Sequence, residues 1–86
     1  MLFRSTGDWR AAAQGYRDAF HAALEVVADQ PALVARIGVL AAVAWAHAGD
    51  AATAASMADQ LRATGLPLDH EQHQQIAGVL AWARPQ

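Results

Sequence analysis

Apolar residues recur along the first third of the chain at spacings of three and four. Trp9, Ala12, Ala13, Tyr16, Ala19, Phe20, Ala23, Leu24 and Val27 fall on one side of a helix, while Arg10, Gln14, Arg17, Asp18, His21 and Glu25 cover the other. The spacing predicts a helix over 8–28, capped by Thr6 or Gly7, with Asp8 placing negative charge where the helix dipole favours it. Asp29-Gln30-Pro31 breaks the pattern. Proline is tolerated in a first helical turn, so a second helix is predicted over 31–48. It is apolar around nearly its whole circumference, the pattern of a helix that touches neighbours on several sides.

Gly49 terminates that helix, and Asp50 is placed to cap a third over 51–64. Thr64-Gly65-Leu66-Pro67 then stops the chain: the glycine can turn left-handed, the leucine can pack back, and the proline blocks continuation. Asp69 followed by Gln72 forms a capping-box pattern for a fourth helix over 70–84, with Ile76, Val79, Leu80 and Ala83 as its apolar stripe. Linkers of about six residues or fewer make consecutive helices antiparallel neighbours. The expectation is a single all-α domain over 1–86.

Composition sharpens this. Alanine accounts for 23 of the 86 residues; it is the best helix former and the weakest hydrophobe, which suits closely packed helices better than a sheet. Cysteine is absent, which excludes disulfides and thiolate metal sites and fits a reducing cytoplasm. All six basic residues are arginine and asparagine is missing, a codon bias expected of a GC-rich bacterial genome. The net charge of −2 and the scattered arginines give no basic stripe, so nucleic-acid binding is not expected. Ala32 to Ala48 is nearly all apolar, but its 17 residues include Arg36 near the middle, and no aromatic or basic flanks frame it. No membrane span is expected. Met1-Leu2-Phe3-Arg4 leads into Gly7-Asp8 with no long apolar run, so no secretory leader is expected either.

Gly7-Asp8 and Gly49-Asp50 stand 42 residues apart, each before a helix with paired alanines, Ala12-Ala13 and Ala54-Ala55. Helical-hairpin solenoids have periods of roughly 34–47 residues. Ala42 followed by Trp45, the turn Gly49-Asp50, Ala54 and the closing Pro67 resemble a tetratricopeptide repeat, and Gly7-Asp8-Trp9, Ala12 and Tyr16 resemble its second-helix half. The chain departs from that family at Gly38, where bulk is usual, at Ala58, where an aromatic is usual, and at Pro67, one residue late. The resemblance implies a helical-hairpin array; the alternative architecture is a compact four-helix bundle. It also implies a peptide-gripping groove, whose positions here are Arg36, Val39, Val43, Ala46 and His47. These share one face of the second helix, with both of its polar residues. Arg36 could pair with a partner carboxylate, or it could simply cover apolar surface while reaching solvent.

His70 and His73, three apart, raise a weaker metal alternative, since His70-Glu71-Gln72-His73 is one residue short of the His-Glu-x-x-His spacing and supplies no third ligand. Ser5 and Ser56 lack a nucleophile's context, no phosphate loop appears, and Asp8, Asp50 and Asp69 all stand at helix starts. An enzyme is not expected, nor is a cofactor. The sequence reads instead as a protein–protein interaction module, the C-terminal piece of a larger bacterial regulatory protein. The alternative is a small regulatory bundle that binds a small ligand or dimerises. Because the first helix lacks a preceding partner, its apolar flank predicts either a homo-oligomer or a longer parent chain.

Overall fold

The computed structural model describes residues 6–84. Four helices follow one another, α1 (Thr6–Val26), α2 (Pro31–His47), α3 (Ala51–Ala63) and α4 (His70–Ala83), with no strand among the described residues. The protein is all-α, as its periodicity predicts. Each helix ends one or two residues short of its expected bound. The start of α1 differs too: the helix already includes Thr6 and Gly7, so its N-cap lies outside the described residues, as does Ser5.

Local chemistry sets the other boundaries. Gln30 is held out of helical geometry (φ −121°, ψ 68°), as expected of a residue before proline, and its N–H closes a turn onto the Val27 carbonyl at 2.8 Å. At the end of α2, Gly49 adopts φ +82°. Its N–H donates to the Ala46 carbonyl and that of Asp50 to the Trp45 carbonyl, the two bonds of a Schellman turn. Asp50 then accepts the Thr53 N–H at 3.0 Å and so starts α3. Gly65, at φ +70°, ends α3 with Leu66 packed back on the core. The capping box of α4 is complete: Gln72 N–H donates to Asp69 Oδ1 at 2.7 Å, and Asp69 N–H donates to Gln72 Oε1 at 2.9 Å.

The molecule measures 37 × 30 × 22 Å, a slab about two helices thick. Helix α2 packs against all three others, which accounts for its apolar circumference. α3 also packs on α4, but the backbone of α1 approaches that of α2 alone and does not meet α3 or α4. Each helix contributes one large, fully buried side chain: Phe20, Val34, Leu61 and Ile76. Alanine fills most of the remaining core. Gly38 is where the layers come closest. A Cβ there would lie 2.8 Å from Phe20 Cε1 and closer still to Leu61 Cδ2. The bulk missing from α2 at this position is supplied by the two helices beside it.

Candidate functional site

The face of α2 predicted to line a groove is only partly open. Arg36 is exposed and, among the described residues, makes no hydrogen bond or ion pair. Val39 is buried in the core and offers a partner no surface. Val43 and Ala46 are half-buried against that core. His47 is exposed, but one side of its ring is taken: it stacks on Trp9 of α1 with centroids 4.5 Å apart and planes 23° apart. The outward stripe instead runs through Leu33 (38% exposed), Arg36, Leu40 (43% exposed) and His47. These residues recur at helical spacing along one face. Leu33 and Leu40 are not distinguishable in the sequence, because a helix apolar all round gives no contrast to mark its exposed side.

Arg36 stands where two open depressions adjoin, of about 420 and 520 Å³. Pro31 and Leu33 line one, Leu68, Asp69 and Gln72 line the other, and Ala32, Arg36 and Pro67 line both. Together they make a trough between the first turns of α2 and the start of α4. Its wall on the α2 side is largely apolar and that on the α4 side nearly half polar; its one cation is Arg36, and its one carboxylate, Asp69, is engaged in capping α4. The chain matches no family model, no curated protein and no solved structure. The geometry itself therefore carries the functional reading. A free guanidinium beside exposed leucines can hold a carboxylate bidentately while an aliphatic group lies alongside.

A second charged cluster lies against Trp45. The guanidinium carbons of Arg10 and Arg17 lie 5.8 and 5.5 Å from the Trp45 ring centroid, and Arg10 approaches Asp50 at 3.6 Å. Asp50 titrates below its ordinary value, first because the Thr53 backbone N–H and hydroxyl bond its carboxylate, and then because of the charges of Arg10 and Arg17. Trp45 is buried, and its indole N–H has no partner among the described residues. This cluster ties α1 to the turn between α2 and α3.

His70 and His73 are exposed in the first turn of α4, and among the described residues no three histidine or acidic side chains converge as a metal site. No described helix is long and apolar enough to cross a membrane.

Proposed function

We propose that the chain is a protein-interaction module, resembling a tetratricopeptide array, that takes a peptide or protein partner along the outward stripe of α2. The observation that carries this reading is Arg36, an unpaired guanidinium among the described residues, seated in an apolar trough between Leu33 and Pro67. The partner's matching feature is a carboxylate beside an aliphatic side chain. Packing order supports the array over the closed bundle, since α1 and α4 do not meet and α2 touches both α3 and α4. Binding rather than catalysis is the reading because the trough brings together no acid, base and nucleophile.

The test is to capture a partner from the native organism and compare its affinity for the wild type and for Arg36→Ala and Leu40→Ala. Each substitution is expected to weaken binding at least tenfold, or about 1.4 kcal/mol. Unchanged affinity for Arg36→Ala removes the trough from the interface.

A further inference from the structure

Shifted by the 42 residues that separate Gly7-Asp8 from Gly49-Asp50, α1 falls on α3 and α2 falls on α4. Burial follows the same shift at part of the positions. Ala13 matches Ala55 and Val34 matches Ile76, all buried, while exposed Leu40 matches exposed Trp82. Three pairs are exceptions: Phe20, Ala23 and Ala42 are buried where Arg62, Gly65 and Arg84 are exposed.

Two further sets depart in a consistent way. Met57, Ala58 and Leu61 of α3 are buried, but their counterparts Gly15, Tyr16 and Ala19 on α1 are exposed. Ala35 and Val39 of α2 are buried, but their counterparts Ala77 and Ala81 on α4 are exposed. Packing explains both. α3 is covered by α2 before it and α4 after it, whereas α1 has only α2; α2 is covered on three sides, α4 on two. Among the described residues, then, no α2-like helix stands before α1 to cover its second side, and no α3-like helix follows α4. By the 42-residue match, α4 is α2-like and α1 is α3-like. Each open face fits the other.

We infer that the chain associates with itself end to end, α1 of one copy seating on α4 of the next as α3 seats on α2. The existing α2–α3 contact gives the register. There Leu61 enters over Gly38. The shifted pair is Ala19 with Leu80, so the bulk comes from the other side but the volumes still complement. Carried along antiparallel helices, this register sets Val26, 78% exposed in the single chain, over His73. The contact is heterologous, so every added copy presents a fresh open face and association continues or closes into a ring. One helix face on another is a small interface, which makes association concentration-dependent. Neither Ala19 nor Ala81 lines the Arg36 trough, so the inference stands apart from the proposed binding site.

Sedimentation velocity of the 86-residue chain over a concentration series tests it, with Ala19→Arg and Ala81→Arg as variants. Both positions are exposed, and unchanged circular dichroism melts verify that the variants fold. The wild type is expected to pass beyond dimer as concentration rises, and each variant alone to stay monomeric. An equimolar mixture is expected to form a one-to-one dimer and nothing larger, because the intact α4 of Ala19→Arg meets the intact α1 of Ala81→Arg. A wild type still monomeric at concentrations on the order of 1 mM overturns the inference and leaves the faces to other segments or partners. So does a dimer that survives in Ala81→Arg alone, which would assign α1 to α1, or in Ala19→Arg alone, which would assign α4 to α4.

Discussion

Phe20 of α1 lies directly over Gly38 of α2, so close that a methyl group on Gly38 would sit 2.8 Å from the Phe20 ring. Leu61 reaches the same spot from α3. Three helices therefore converge on a position where any side chain would displace its neighbours.

Overpacking in Gly38→Ala should cost about 1–3 kcal/mol against the ~1 kcal/mol that alanine gains over glycine in helix propensity, a net destabilisation of up to about 2 kcal/mol. Gly78 makes the natural control, since a Cβ there meets nothing within 4 Å. Gly78→Ala should raise stability by up to about 1 kcal/mol. Urea denaturation of the two variants checks both signs. Equal effects would show that the close approach at Gly38 relaxes at little cost.

The stack of Trp9 on His47 joins the start of α1 to the end of α2. His47→Ala should cost about 0.5–1.5 kcal/mol. Because the backbone of α1 approaches only α2, the loss should be local. Hydrogen exchange should show faster opening of the first turns of α1 and little change around Leu61. Uniform acceleration across all four helices would contradict this.

Asp50 caps α3, so Asp50→Ala should cost about 1 kcal/mol at neutral pH. Its folded pKa lies below the ordinary carboxylate value, chiefly because Thr53 bonds the carboxylate and further because of the charges of Arg10 and Arg17. A depressed carboxylate contributes stability that is fully present above its unfolded pKa and is lost as pH falls through the folded value. The stability difference between wild type and Asp50→Ala should thus be flat near neutrality and shrink below about pH 4. A difference that grows on acidification would rule this out.

Zinc should leave the melting temperature unchanged, with or without His70→Ala. The two exposed imidazoles of α4 have no converging third ligand among the described residues, and structural zinc takes four. A melting temperature that rises with zinc in the wild type and not in His70→Ala would reverse this reading.

The hinges of this protein were legible in its sequence because they are short-range chemistry. Gly49 and Gly65 take positive φ, Asp50 and Asp69 cap, and the Asp69–Gln72 box closes, all within a few residues of chain. The helices and their order followed, as did the central place of α2, since a helix apolar all round must be covered all round. The orientation of α2 was a matter for the tertiary structure. Val39 lies in the core and Leu40 outside it, yet the two are chemically near-identical neighbours, and only the positions of α1, α3 and α4 decide which one water reaches. Gly38 shows the same limit. In sequence it is a departure from a repeat pattern; in the fold it is the space that Phe20 and Leu61 fill, set by contacts between residues 18 and 23 positions away along the chain.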